Sequence, residues 1–197
     1  MAKKSKKLSK QPEQVYQFKF AQVGIVPQIW RRVHLPPDYT FGDLHLAIQA
    51  TMGWDDYHLH EFKVPNPRTG VLQRIGDSSE EIDDFYGTSA LSEDKAKIAD
   101  YFSPENKLAV YTYDFGDDLQ VKVRFERVLP AKEGVKYPVC TAGKRAAIPE
   151  DSGGVWGYEE LLEILKDSEH EDYEGTLEWL GVEFDPEHFD PKEVVFP

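Results

Sequence analysis

Two histidines one residue apart, His58 and His60, head the residues able to do chemistry in this 197-residue chain. In a strand, residues i and i+2 face the same way. A strand over Tyr57–Val64 therefore sets the two imidazoles about 7 Å apart at the backbone, suited to two ligands of one zinc or iron ion. That ion needs a carboxylate from elsewhere, and Asp114, Glu150 and Asp151 are the candidates. The alternative is a strand whose histidines hydrogen-bond to their neighbours, since two imidazoles without a third ligand nearby specify no metal by themselves.

Asp114-Phe115-Gly116 spells the magnesium motif of kinases, but no glycine-rich loop, strand lysine or catalytic-loop HRD accompanies it. A hairpin turn explains the same residues, because Asp and Gly favour tight turns. Asp114, Asp117 and Asp118 gathered there offer oxygen ligands for a cation or simply a solvated turn. Pro149-Glu150-Asp151-Ser152-Gly153-Gly154 pairs two acids with two glycines that permit positive φ and close backbone approach. It reads either as a binding loop for a metal or a basic partner, or as a lead-in whose acids favour the next helix N-terminus. Cys140 has no base specified beside it, so it reads as a structural thiol rather than a nucleophile. Arg31 and Arg32 are adjacent in a strand, point to opposite faces, and so form a poor anion site together.

These residues must be positioned by ordinary elements. Val15–Val23 alternates, with Tyr16, Phe18 and Phe20 on one face and Gln17 and Lys19 on the other, which predicts a strand. Gln28–Leu35 predicts a second. Thr40–Met52 predicts a helix: Thr40 is the N-cap, Asp43 is the third residue of a capping box, and Phe41, Leu44, Ala47, Ile48 and Met52 form one apolar stripe ended by Gly53. Val71–Ile75 can pair back on Tyr57–Val64. Leu108–Tyr113 and Leu119–Leu129 predict a hairpin. Short helical pieces are expected near Glu80–Phe85 and Lys95–Phe102, a long loop over residues 130–157, and helices over Tyr158–Lys166 and Asp172–Leu180. Phe184, Phe189 and Phe196 anchor the tail. The sum is one α+β domain over residues 14–197, an antiparallel sheet with segregated helices, after a Lys-rich tail over residues 1–13.

Composition narrows the classes. Aromatics at 13% exclude a disordered chain. One cysteine leaves no internal disulfide, as suits the cytoplasm, and no apolar run is long enough to span a membrane. The net charge is −13, yet residues 1–10 hold five lysines and no acid. Residues 148–197 hold sixteen acids against Lys166 and Lys192, a net of −14. Such acidity disfavours nucleic acid as a ligand of the folded domain.

Taken together, Pro27-Gln28-Ile29-Trp30-Arg31-Arg32, Met52-Gly53-Trp54-Asp55, His58-Leu59-His60-Glu61-Phe62, Tyr113-Asp114-Phe115-Gly116-Asp117, Pro149-Glu150-Asp151 and Trp179-Leu180-Gly181 closely resemble the plasmid pRi ORF-three-like family. The resemblance spans nearly the whole chain from Val15. It implies a one-domain α+β fold and an association with insertion elements or plasmids, sometimes under a resolvase-like name, and it brings no established catalytic residues. Relatives often carry Trp and His where this chain has Leu119 and Val121, and cysteines where it has Ala147 and Ser152. A Cys₃His zinc site conceivable in those relatives is therefore expected to be replaced by packing here. A serine recombinase needs a nucleophilic serine, an arginine cluster and a basic arm, and no such constellation is visible.

The leading expectation is a non-catalytic interaction module that binds a protein partner, a basic one by charge complementarity, with no required cofactor. Its candidate binding residues are His58, His60, Asp114, Asp117, Glu150, Asp151, Gly153 and Gly154. The alternatives are a metal-dependent, hydrolase-like enzyme using His58 and His60 with those acids and a divalent ion, and a DNA-associated accessory acting through the lysine tail.

Overall fold

Alternation builds the sheet. In β1 (Gln14–Gln22), Phe18 and Phe20 point to the core while Lys19 lies on the other face. The computed structural model describes residues 12–76, 90–181 and 184–197. The strands are β1, β2 (Trp30–Leu35), β3 (His60–Pro65), β4 (Leu72–Gly76), β5 (Leu108–Tyr113), β6 (Leu119–Pro130) and β7 (Val139–Lys144). They form one sheet in the order β4-β3-β5-β6-β1-β2-β7, and every pair of neighbours is antiparallel. The architecture is α+β.

The helices are α1 (Phe41–Met52), α2 (Ile98–Tyr101), α3 (Gly154–Ile164) and α4 (Tyr173–Leu180). They are short and not clearly segregated along the chain: α1 falls between β2 and β3, and α2 between β4 and β5. Helix α1 has the expected capping box, with Asp43 N–H donating to the Thr40 hydroxyl and Thr40 N–H to the Asp43 carboxylate. Gly53 closes it in the left-handed region at φ 71°. One core joins the sheet to the helices. Phe18 meets Phe102 edge-on at 4.9 Å, Phe41 meets Phe62 at 5.1 Å, and Tyr158 and Leu161 of α3 are buried in the same cluster.

Three expectations change. The long loop over 130–157 contains β7, an edge strand paired with β2. Its sequence, VCTAGK, lacks alternation because it is bent by a register shift beside Arg32/Val33, and Gly143 leaves space that the Phe189 ring fills. The third strand begins at His60, not Tyr57. Helix α3 begins at Gly154, four residues before Tyr158. The piece expected near Glu80–Phe85 and the lysines of residues 1–10 lie outside the described residues. Leu119 and Val121 are fully buried and Ala147 nearly so.

Arg31 shows how far the core tolerates charge. It is 1% exposed, donates to the carbonyls of Thr51, Trp30 and Lys144 at 2.8–3.1 Å, and lies 3.8 Å over the Phe189 ring. Burial lowers its pKa to about 10. Arg32, on the opposite face, pairs with Glu126 at 2.7 Å. Replacing Thr40 by Ala removes the α1 cap and is expected to cost about 1 kcal/mol, read as a lower urea midpoint with an unchanged slope.

Candidate functional site

The Tyr113 hydroxyl ties two loops together. Tyr113 ends β5 with its side chain fully buried. Its oxygen accepts the N–H of Tyr57 at 2.9 Å and of His58 at 3.3 Å, and its proton goes to Glu150. The other Glu150 oxygen accepts Asp55 N–H at 2.6 Å. The Trp54 ring stacks on Tyr113 at 5.1 Å and donates its indole N–H to the Ile148 carbonyl. Burial, reinforced by the bond to Glu150, pushes the Tyr113 phenol up, so it stays protonated. The segment 54–58 is thus tied to 148–150 through one buried phenol.

The third loop is the β5–β6 turn. Asp114 (φ 53°) and Asp118 (φ 50°) take left-handed conformations. One oxygen of Asp114 accepts Gly116 N–H at 2.9 Å and faces Asp117 N–H at 3.3 Å. Asp117 in turn accepts Gly153 N–H at 3.0 Å. Gly154, at φ 68°, lies so close that a Cβ would sit 2.2 Å from the Asp117 carbonyl.

The junction gathers His58, Asp114 and Asp151. His58 Nε2 is 3.2 Å from Asp151 Oδ1 and 3.7 Å from Asp114 Oδ2, and one ligand atom from each of the three residues lies within 4.8 Å of the others. Atoms bound to one ion at 2.0–2.2 Å sit roughly 3.0–3.6 Å apart. His58 Nε2 is buried yet makes no hydrogen bond. Asp151 is also held at positive φ, 56°.

His60 belongs to a different cluster. Its ring stacks on His45 of α1 at 3.7 Å and 8°. Its Nε2 meets Glu93 at 2.6 Å, while His45 is held between the Tyr111 hydroxyl (2.8 Å) and Asp56 (2.9 Å). Gln49 donates to Tyr111 and accepts from Asp56 N–H. Burial, helped by the charge of His60, lowers the pKa of His45. Burial opposes ionisation of Glu93, but the hydrogen bond and charge of His60 outweigh it and hold the carboxyl low. Burial, with the nearby Tyr113, Asp56 and Glu93 adding to it, pushes the Tyr111 phenol far up against the hydrogen bond from Gln49. This second cluster and, of the first, His58 border a cavity of about 480 Å³ lined by His45, Asp56, His58, His60, Glu93 and Asp94 among others.

The expectation that His58 and His60 share a strand face is corrected. His58 precedes β3, because Asp56 (φ 60°) turns the chain and the next two N–H groups bond to Tyr113 rather than to a neighbouring strand. Of the candidate acids, Asp114 and Asp151 meet His58, Glu150 stands behind them on Tyr113, and Asp117 binds the glycine loop. Cys140 is buried, with its thiol pushed up by that burial. His45, Asp56, Glu93 and Tyr113 were not among the expected residues. His45 and Gln49 stand four and eight residues after Phe41, on the buried side of α1, and polar residues at that spacing are the signal that could have found them.

Residues 14–193 match the plasmid pRiA4b ORF-3-like protein family. The chain belongs to that family. It is 34% identical over 158 residues, 80% of this chain and 76% of the other, to the uncharacterized protein y4hQ of Sinorhizobium fredii. The crystal structure of MM3350 from Methanosarcina mazei Go1, a protein of unknown function, superposes with a TM-score of 0.86 at 63% identity, covering 94% of this chain and 99% of that one. Family membership therefore brings the fold and no assigned chemistry.

Two outcomes test the site as built. Gly154→Ala combines a left-handed φ with the overlap on Asp117 and is expected to cost at least ~3 kcal/mol. Gly53→Ala, at a similar φ with nothing within 4 Å, should cost only about 1 kcal/mol; denaturant melts compare them. The second concerns pH. His45 has a folded pKa below the ordinary 6.5, so the unfolded chain binds the proton more tightly and stability falls as pH drops below about 6.5. Glu93, also depressed, adds a loss below its ordinary 4.5. His34, lowered by its burial, adds to the loss with the same sign as His45. Melting temperatures measured from pH 8 to pH 5 should decline, and His45→Gln should make the decline shallower.

Proposed function

We propose that the protein is a divalent-metal-binding domain in which His58, Asp114 and Asp151 hold one cation at the junction of the three loops. The observation that carries this reading is the buried, hydrogen-bond-free Nε2 of His58 facing a carboxylate oxygen of Asp151 at 3.2 Å and one of Asp114 at 3.7 Å, the first within and the second just beyond the roughly 3.0–3.6 Å spacing of atoms bound to one ion. One imidazole nitrogen with two carboxylates suits Zn²⁺ or Mn²⁺. The supports behind the ligands fit as well. Asp114 is fixed by the turn N–H groups, the His58 backbone by Tyr113, and the loop bearing Asp151 by the bond between Asp117 and Gly153.

The His45–His60 cluster is the weaker metal candidate although its ligand atoms also converge. Its imidazoles already bond to Tyr111, Asp56 and Glu93, so its geometry is accounted for without an ion. Three protein ligands leave positions for water or for an oxygen of a bound molecule. A cation there would act as a Lewis acid, and the adjoining cavity would receive the group it polarises. This supports a hydrolase-like role. The cluster of His45, His60 and Glu93 on the cavity wall supplies groups able to exchange protons.

A second reading, a protein-interaction module, is favoured by one observation. Trp156 on α3 is 83% exposed. A groove of about 320 Å³ also runs between α3 and α4, lined by Leu161, Ile164 and Trp179 with Glu160 and Asp172. Its chemistry suits a basic amphipathic segment.

Metal content separates the two. Protein stripped with chelator and titrated with Zn²⁺ or Mn²⁺ should take up one equivalent, with a gain in melting temperature. His58→Ala and Asp114→Asn should weaken that affinity by more than the ~10–100-fold typical of losing an outer partner. Equal uptake by both variants would sink the metal reading.

A further inference from the structure

The sheet has two faces of unlike chemistry. Among the described residues the helices pack on one, through Phe41, Leu44, Ile48, Tyr158 and Leu161. The pairing register fixes what stands on the other. Lys19 lies between Arg32 and Arg124, Ala21 between Trp30 and Lys122, and Gln17 between His34 and Arg127. Val110 lies between Lys63 and Lys122, Arg74 is opposite Lys63, and Lys144 is opposite Trp30. This outer face carries eight cations: Lys19, Arg32, Lys63, Arg74, Lys122, Arg124, Arg127 and Lys144. Its carboxylates are Glu61, which pairs with Lys63 and Arg74, and Glu126, which the β6 bulge brings to Arg32. The face is net +6 in a chain of net −13.

We propose that this face binds single-stranded nucleic acid. A polyanion suits this face, because Lys122, Arg124 and Arg127 are exposed and make no ion pair among the described residues. A depression of about 470 Å³ lies among Arg32, Lys107, Arg124 and Arg127, with Glu126 its one carboxylate. Neighbouring strands are about 4.8 Å apart and same-face residues along a strand about 7 Å, so the cations form a two-dimensional array that an extended backbone of phosphates can cross. The aromatic group a base needs is also present. Trp30 is half-buried on this face, with Lys19 Nζ at 5.0 Å and the Arg32 guanidinium at 5.2 Å from its ring. Cations around a flat ring are the elements of a single-strand stacking platform. Duplex fits less well, because among the described residues no helix or ribbon projects from this face to enter a groove. The five lysines of residues 1–10 precede β1 at Gln14, and the start of β1 pairs with the Arg127–Pro130 end of β6.

The chain's acidity does not oppose this binding at close range. The acidic helices are attached through the opposite face of the sheet, and charges more than about 8–10 Å apart in solvent are largely screened at physiological salt.

The test is fluorescence anisotropy of the full chain with labelled 20-nucleotide single-stranded RNA and DNA at 50–200 mM salt. The expected result is binding whose logarithm falls linearly with log salt. The double variant Lys122→Glu with Arg124→Glu, both on exposed positions, should bind at least ~10-fold more weakly at 50 mM salt, with a slope shallower by about 1.4, or 0.7 for each lost phosphate contact. Its thermal melt should be unchanged. Trp30→Ala should weaken binding without changing the slope. The proposal is overturned if no oligonucleotide binds at 50 mM salt. It is also overturned if the double variant binds like wild type while changing the tail lysines to Gln abolishes binding, which assigns the ligand to the tail. A third result against it is self-association in ultracentrifugation that the double variant abolishes with no oligonucleotide binding, which makes the occupant the acidic quarter of a second copy.

Discussion

The buried phenol of Tyr113 is the constraint on which the site depends. Its oxygen takes two backbone N–H groups from the segment after α1 and gives its proton to Glu150, which takes a third N–H from that segment. Each of these donors would otherwise lack a backbone partner, since the chain between Gly53 and His60 is neither helix nor strand. Burying unpaired N–H groups costs about 1–3 kcal/mol each. The phenol and carboxylate together thus make an irregular segment affordable beside the core. They also decide where His58 points, because its backbone N–H is one of those held.

The same arrangement separates the two histidines. Had β3 extended to Tyr57, His58 and His60 would have shared a face and one set of acids. The left-handed turn at Asp56 prevents this. His60 instead faces the core, stacks on His45, and finds its carboxylate in Glu93, thirty-three residues away in the chain. Two buried imidazoles in contact favour at least one neutral ring, in line with the lowered pKa of His45. His58 sits beyond Tyr113, half-exposed, with carboxylates on two sides. One cluster is a closed hydrogen-bond network and the other is open. That difference, more than residue type, distinguishes a packed polar core from a place where a ligand can enter.

What was legible in the sequence was local. The capping box of α1, its Gly53 stop and the β5–β6 hairpin rest on residues close in the chain, and each forms close to where its residues imply. The unreadable parts depend on partners far away. VCTAGK becomes a strand only because β2 offers an edge and Phe189 fills the space over Gly143. Glu93 has no local pattern marking it as the partner of His60. Of the acidic candidates, Asp114 and Asp151 were nominated by turn chemistry and do converge on His58. Their convergence relies on Gly154 packing against Asp117, a contact across thirty-seven positions that spacing cannot reveal.

Charge shows the same limit in another form. Summed along the chain, residues 11–147 carry a mild −4 between a basic start and an acidic end. A strand places alternate residues on opposite faces, so a sum along it averages two surfaces that solvent sees separately. Lys122 and Arg124 alternate with Val121, Val123 and Phe125, and cross-strand pairing sets them beside Lys19. Seven strands in register turn scattered single cations into an array, while the acids collect on helices attached to the other side. Net charge governs solubility and long-range repulsion, whereas contact with a polyanion is decided within a Debye length of one face. An acidic protein can therefore present a basic surface, and the antiparallel register is what creates it.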